Sequence, residues 1–185
     1  MGMIKPNACT PADSNLSDVL LDSYLGKGIS EICAHGYTAD DLNHCAHFVC
    51  HVMNVATGST TCRAQSQAGV ADRIGVCIRV HELFASCPQL GLYDDATQDQ
   101  LTNGVFVFVT AKNVVDLKAK RMTNIPKKHV GIGLDGTIWH YSNTQDKVVT
   151  ATPAEFKRHY KGQDNGLYFG TFPANAIPSS FGCGR

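Results

Sequence analysis

The chain has 185 residues, of which 43% are hydrophobic and 17% are charged. Sixteen basic residues balance sixteen acidic ones, so neither a broad basic face for nucleic acid nor an acidic tail for a polycation is expected. No apolar run approaches the roughly 18 residues that span a membrane, so membrane insertion is not expected either. What remains unusual is the content of eight Cys and eight His.

The length predicts one domain over residues 1–185, large enough to bury a core without disulfides. Residues 1–14 are polar, contain two prolines and are predicted to be a loosely ordered lead-in. The first residues lack the apolar segment of a secretory signal peptide. The sequence therefore favours either a cytoplasmic protein or one exported by a route that reads no signal peptide.

The first half of the chain shows the 3.6-residue periodicity of amphipathic helices. Residues 15–25, with Ser14 as a candidate cap, place four apolar side chains on one helical face: Leu16, Val19, Leu20 and Tyr24. Residues 43–54 and 79–86 give two further helical patterns. Residues 57–76 are rich in Gly, Ser, Thr and Gln and predict a loop with at most a short helix.

The second half changes to strand patterns. Residues 104–109 form an apolar run typical of a buried strand, and residues 111–127 are a charged excursion of mixed structure. Asp135-Gly136 is a hairpin turn signal that joins predicted strands at 128–134 and 137–143 and pairs Leu134 with Thr137.

Two more strands are predicted at 148–151 and 167–171. Between them, Thr152-Pro153-Ala154-Glu155 is a capping-box pattern that opens a helix reaching about Tyr160. Helices followed by antiparallel strands predict an α+β fold rather than alternating parallel units.

Cys45 falls in the first turn of the predicted helix 43–54. The thiolate is the nucleophilic form of cysteine, and a helix N-terminus with a nearby imidazolium lowers the thiol pKa from about 8.5. Cys50 lies deeper in the same helix on its apolar face and gains much less. Cys45 is therefore the candidate nucleophile.

A cysteine nucleophile needs a base, and the base needs an orienting group. His129 begins the predicted hairpin, and the register about its turn places His129 opposite Ser142. His140, two residues away, then lies on the same face as a diagonal neighbour of His129. Asn143 is the alternative orienting residue if the strand bulges.

Four segments together resemble the NlpC and CHAP superfamily of papain-like cysteine hydrolases. They are Asn-His-Cys-Ala-His-Phe-Val (43–49), Gly-Val-Phe-Val-Phe-Val (104–109), His-Val-Gly-Ile (129–132) and Trp-His-Tyr-Ser (139–142). The resemblance covers roughly residues 37–172 and implies a papain-like fold, with the nucleophile at a helix N-terminus packed on a small antiparallel sheet. It also implies Cys45 as nucleophile, His129 as general base and His140 as the orienting residue.

The superfamily typically cleaves amide bonds in peptidoglycan stem peptides, and its small members without signal peptides include amidase effectors of type VI secretion. The resemblance thus implies a peptidoglycan peptide substrate, action in the periplasm or cell wall, and an immunity or inhibitor protein as partner. No cofactor is required. The Cys45 N–H and the side chains of Tyr37 and Asn43 are candidates for binding the oxyanion or the substrate.

The sequence departs from the superfamily pattern in two places. Asn103-Gly104 replaces the usual Gly-Asp pair before the apolar strand, and residues 62–100 form an insert with no counterpart. Two alternatives stay open. The same Cys-His pair could act on a protein or lipid as a peptidase, deamidase or acyltransferase, or the chain could be a non-catalytic interaction module held by zinc or disulfides.

The remaining Cys and His have simpler interpretations. His47 and His51 have the i, i+4 spacing of a zinc pair, but no Glu follows His47 as in a metalloprotease, so hydrogen-bonded histidines and no metal are predicted. His159 is predicted to lie on a helix surface. Four cysteines could pair in an oxidising compartment or stay reduced and buried: Cys62, Cys77, Cys87 and Cys183.

Overall fold

A computed structural model describes residues 15–58, 60–66, 75–179 and 181. The predictions for the lead-in 1–14, for Ser14 as a cap and for Cys183 lie outside this part. Seven helices are present: α1 (Asp18–Asp22), α2 (Ile29–Ile32), α3 (Cys45–Met53), α4 (Cys62–Ser66), α5 (Val80–Ser86), α6 (Gln98–Asn103) and α7 (Pro153–Lys157) among the described residues. Two short 3-10 helices lie at Tyr93–Asp95 and Lys112–Val114.

Eight strands lie among the described residues: β1 (Leu90–Leu92), β2 (Val105–Ala111), β3 (Val115–Asp116), β4 (Arg121–Met122), β5 (Lys128–Leu134), β6 (Thr137–Ser142), β7 (Lys147–Ala151) and β8 (Asn165–Gly170). Six form one sheet in the order β1-β8-β2-β5-β6-β7, with every neighbouring pair antiparallel. The strands β3 and β4 form a separate two-stranded ribbon. The predicted α+β class, with an antiparallel sheet, is confirmed.

The β5–β6 hairpin follows from its turn residues. Asp135 and Gly136 both have positive φ, 46° and 83°, which suits the tight turns whose twist matches that of the paired strands. Leu134 pairs with Thr137, so the predicted register is confirmed. Because side chains alternate along a strand, this register decides which residues of β5 and β6 share a face.

The strand β2 lies inside the sheet between β5 and β8, with both faces covered. This explains its unbroken apolar sequence. Val105, Val107 and Val109 face a small core with Phe156 of α7, whereas Phe106 and Phe108 face the larger core beneath the other helices. The strand thus separates two apolar layers.

The helix α3 is buried on nearly every side, with only His51 partly exposed among its nine residues. It packs on the sheet through contacts with β5 and β6. Asn54 ends the helix in the left-handed conformation and donates its N–H to the carbonyls of Cys50 and His51. No helix in the described ranges is long and apolar enough to cross a membrane.

Two predicted helices have different limits. The helix α1 spans only Asp18–Asp22 and is capped by Ser17, whose hydroxyl accepts from the Leu20 N–H at 3.2 Å. The prediction that Val19 faces the core is wrong, because Val19 is 78% exposed. The helix α7 has the predicted capping box but ends at Lys157, so His159 lies beyond it. The elements α2, β1 and α6 were not predicted.

Candidate functional site

The N-terminus of α3 is held by two asparagine side chains. Asn43 Oδ1 accepts the backbone N–H of Cys45 at 3.2 Å. Asn143 donates to Asn43 Oδ1 at 3.1 Å and accepts the backbone N–H of His44 at 3.0 Å. Asn143 therefore ties the end of the β6 segment to the start of α3, and no hydrogen bond joins it to His129 in the described structure.

The two histidines of the β5–β6 hairpin are in direct contact. His129 Nε2 and His140 Nδ1 are 3.0 Å apart, and their ring planes stand at 82°. This contact is the diagonal pairing that the hairpin register predicts. His129 is completely buried, and its Nδ1 has no hydrogen-bond partner in the part of the chain described. That nitrogen is free to accept a proton.

Cys45 begins α3, which packs against β5 and β6, and no hydrogen bond joins its sulfur to His129 in the described part of the chain. Its sulfur is close enough to the backbone N–H of Val130 for that group to lower the thiol pKa in part. Burial acts more strongly in the opposite direction and raises the pKa of Cys45 to about 11. The expectation that the helix N-terminus yields a low thiol pKa is therefore wrong, because Cys45 is only 1% exposed and its thiolate would lose its hydration.

Both histidines are held in the neutral form. Burial lowers the pKa of His129 well below its usual value, and the nearby His159 and His140 lower it further. Burial and His159 lower the pKa of His140 to about 4. At neutral pH the Cys45 thiol and both imidazoles are therefore neutral.

His159 is a site residue that the sequence prediction missed. Its ring stacks on that of His129 with centroids 4.1 Å apart and planes 10° from parallel. The segment is fixed by Asn165, whose Nδ2 donates to the carbonyls of Lys157 at 2.9 Å and Tyr160 at 2.7 Å. The helical periodicity of the sequence could not predict this stacking, because His159 lies past the end of α7.

A cleft of about 480 Å³ lies next to the starts of α3 and β5, and Cys45, His129 and His140 are not among the residues that line it. Asn43 and Lys128, which precede Cys45 and His129 closely in the chain, both line it, as does Tyr37. The Tyr37 ring also packs edge-on against His44 and His47, with centroids 5.7 and 5.5 Å away. The cleft therefore opens next to the segments that begin α3 and β5.

A second cluster lies on the other side of α3. One nitrogen or sulfur atom from each of four side chains lies within 4.8 Å of all the others: Cys33, His47, His51 and Cys62. The sequence predicts no metal here, and this grouping offers a set of ligand atoms that could hold one. The spacing of His47 and His51 was the signal in the sequence, but Cys33 and Cys62 come from separate elements at no standard spacing.

Comparisons of the chain with protein-family models, curated proteins and solved structures found no match. The candidate site is therefore described from its residues alone. The described structure holds two buried histidines in contact, a buried cysteine at the start of α3, and a separate cluster of two Cys and two His.

Proposed function

We propose that this protein is a cysteine hydrolase that cleaves amide bonds through Cys45, His129 and His140. The observation that carries the proposal is the 3.0 Å contact between His129 Nε2 and His140 Nδ1. In this contact His129 Nδ1 is buried and has no hydrogen-bond partner in the described chain. The following residue on the same strand, Val130, directs its backbone N–H toward the Cys45 sulfur.

The proton positions follow from this contact. For His129 to accept a proton at Nδ1, its Nε2 carries a proton and donates it to His140 Nδ1. His140 then orients the base and stabilises the imidazolium that forms. Because both rings are neutral at pH 7, His129 is ready to act as a base.

In the proposed reaction the Cys45 sulfur bonds to the amide carbonyl carbon while its proton passes to His129 Nδ1. The carbonyl electron pair moves to the oxygen, and its return expels the amine, which takes the proton from His129. Water then attacks the thioester with His129 as base, releasing the acid and restoring the thiol. The raised pKa of Cys45 implies that proton transfer accompanies the attack rather than precedes it.

Oxyanion binding requires one local change. The Cys45 N–H points to Asn43 Oδ1, at 3.2 Å, and is therefore occupied. Rotation of the Asn43 side chain on substrate binding frees this N–H for the developing oxyanion. Tyr37, on the wall of the cleft, supplies a neighbouring hydroxyl for substrate binding.

The proposed fold is papain-like, supported by a helix that begins with Cys45 and packs on the antiparallel sheet that carries His129. The proposed substrate class is the peptidoglycan stem peptide, on the basis of the motif resemblance. The cleft supports this choice, because Asp41, Arg79 and Lys128 give it both charge signs, and stem peptides carry both carboxylates and amines. The enzyme would then act in the periplasm or cell wall, with an immunity or inhibitor protein covering the cleft.

The test is digestion of purified peptidoglycan by the wild type, Cys45→Ala and Cys50→Ala, with released fragments identified by mass spectrometry. Cys50 is a matched control, because it is a buried thiol of the same helix. The wild type and Cys50→Ala should release new stem-peptide fragments, and Cys45→Ala should release none. Fragments from Cys45→Ala, or from no variant, contradict the proposal.

An acyl-type activity probe adds a second arm to the test. Labelling of Cys45 without any peptidoglycan cleavage would retain the Cys-His chemistry and move the substrate to a protein or lipid. Absence of both labelling and cleavage would leave the non-catalytic interaction module as the function.

A further inference from the structure

We propose that Cys33, His47, His51 and Cys62 form a structural Zn²⁺ site that joins α2, α3 and α4. Cys33 follows the last residue of α2, His47 and His51 lie one turn apart on α3, and Cys62 begins α4. Three of the four side chains are buried and His51 is partly buried. Nothing in the proposed hydrolase reaction uses these residues, so the two proposals are independent.

The spacing of the donor atoms fits a tetrahedral metal. Zn–S bonds of about 2.3 Å and Zn–N bonds of about 2.0–2.1 Å put the ligand atoms of a tetrahedron roughly 3.3–3.8 Å apart. The four donor atoms already lie within 4.8 Å of one another. Small side-chain movements are therefore enough to close the coordination sphere.

Two imidazole nitrogens have no other partner. His47 Nε2 and His51 Nε2 are both buried, and neither makes a hydrogen bond to any residue that the structure describes. A buried polar atom without a partner costs free energy, so two such atoms beside two thiols require an explanation. A bound metal ion accounts for both at once.

A chain of hydrogen bonds prepares His47 as a ligand. His44 Nε2 lies 2.9 Å from the Ala39 carbonyl oxygen, which can only accept, so this nitrogen carries the proton. With the His44 proton on Nε2, its Nδ1 accepts from His47 Nδ1 at 3.3 Å. His47 Nε2 is left with its lone pair, the form that binds a metal, and its other nitrogen has the hydrogen bond usual for metal-bound histidine.

The sulfur atoms of Cys33 and Cys62 each accept a backbone hydrogen bond that favours metal binding. The His35 N–H donates to Cys33 Sγ at 3.3 Å, and the Val76 N–H donates to Cys62 Sγ at 3.4 Å. Such bonds stabilise thiolate ligands. Two thiolates also cancel the charge of a divalent ion, which removes most of the cost of burying it.

The donor set identifies the ion and its role. Two sulfur and two imidazole ligands in a tetrahedral arrangement suit Zn²⁺ rather than Mg²⁺ or Ca²⁺, which prefer oxygen. Four protein ligands leave no open position, so the ion is structural rather than catalytic. A disulfide between Cys33 and Cys62 would use the sulfur atoms but leave both imidazole nitrogens without partners.

The experiment uses the full chain purified under reducing conditions, stripped of metal and reloaded with Zn²⁺ or Co²⁺ alone. The expected result is one ion per chain and, with Co²⁺, the absorption of a tetrahedral thiolate complex. Cys33→Ser and His51→Gln should each weaken Zn²⁺ binding more than about 100-fold, since loss of even an outer-shell partner costs about 10–100-fold. Cys87→Ser and His81→Gln are matched controls outside the cluster and should bind normally.

Because a ligand variant could fail to fold, the wild type provides a second readout. Chelation should lower its unfolding temperature, and Zn²⁺ should restore it whereas Mg²⁺ should not. Several results overturn the proposal: a reduced wild type that takes up no Zn²⁺, ligand variants that bind as tightly as the controls, and an octahedral Co²⁺ spectrum. A Cys33–Cys62 disulfide found by mass spectrometry in a chain that binds no metal after reduction also overturns it.

Discussion

Two cysteines, Cys45 and Cys62, each begin a helix, and burial and hydrogen bonding shift their thiol pKa values in opposite directions. Burial raises the pKa of Cys45 to about 11. The pKa of Cys62 is lowered, mainly through its interaction with the neighbouring Cys33 thiol. Position at a helix start therefore does not by itself set the reactivity of a thiol here, because desolvation and direct donors are the larger effects.

At the scale of single residues, Tyr141 shows why the alternation along β6 matters. Its hydroxyl donates to Asp146 Oδ1 at 2.6 Å and accepts the Ile29 N–H at 3.1 Å, on the opposite face of the sheet from His140. Trp139 lies on this same face and donates to Asp22 at 2.9 Å. Both aromatic residues thus face away from His140 and attach α1 and α2 to the sheet.

We expect Tyr141→Phe to lower the free energy of unfolding by about 1–3 kcal/mol, because the buried Ile29 N–H loses its acceptor. Urea denaturation at pH 7 measures this change. Asp146→Asn is the matched variant, since it keeps an acceptor for the tyrosine hydroxyl, and its loss should be smaller. Equal losses in the two variants would assign the stability to the Tyr141–Asp146 bond instead.

At the scale of elements, the close approach of β5 and β6 depends on Gly131. A Cβ at this position would lie 2.8 Å from the Trp139 carbonyl oxygen and 3.2 Å from His140 Cβ. The same approach brings His129 and His140 together. The glycine of the His-Val-Gly-Ile segment is therefore required by packing at the candidate site.

We expect Gly131→Ala to destabilise the fold by about 1–3 kcal/mol and to separate the two histidines, because the backbone oxygen cannot move without shifting β6. Gly133→Ala is the control on the same strand, where the added Cβ meets a Val107 methyl group at 2.6 Å. Denaturation and imidazole ¹⁵N shifts of both variants measure these effects. A histidine contact that survives in Gly131→Ala would refute this explanation.

At the scale of the whole molecule, buried neutral histidines link stability to pH. The pKa of His140 is about 4 in the folded chain, whereas an unfolded histidine titrates near 6.5. Between these values the unfolded chain binds more protons, so stability is present above pH about 6.5 and is lost as the pH falls toward 4. The lowered pKa of His129 adds to this loss.

We expect the free energy of unfolding to fall between pH 7 and pH 5, with His140 contributing about 2 kcal/mol of the loss. In His140→Gln the loss over the same interval should be smaller by that amount. Urea titrations at both pH values, with the metal content held fixed, measure the difference. The linkage is wrong if the wild type and His140→Gln lose equal stability.

The sequence predicted most of the elements on which the candidate site depends. The helix that begins at Cys45, the apolar strand β2 and the hairpin about Asp135-Gly136 were predicted because each has a strong local pattern. The hairpin register also predicted the contact of His129 with His140. The short elements α2 and β1 were missed, since three or four residues carry too little periodicity, and α6 was missed although Thr97 and Gln100 form a capping box.

By itself, therefore, the sequence determined the α+β class and the register of the β5–β6 hairpin, and it proposed Cys45, His129 and His140 as the candidate catalytic residues. Only the tertiary structure decided the raised pKa of Cys45, the stacking of His159 on His129 and the grouping of Cys33 and Cys62 around the two histidines of α3. The reason is physical. Helix and hairpin patterns arise from neighbours in the chain, whereas desolvation, ring stacking and metal-ligand geometry depend on distant segments brought together by packing.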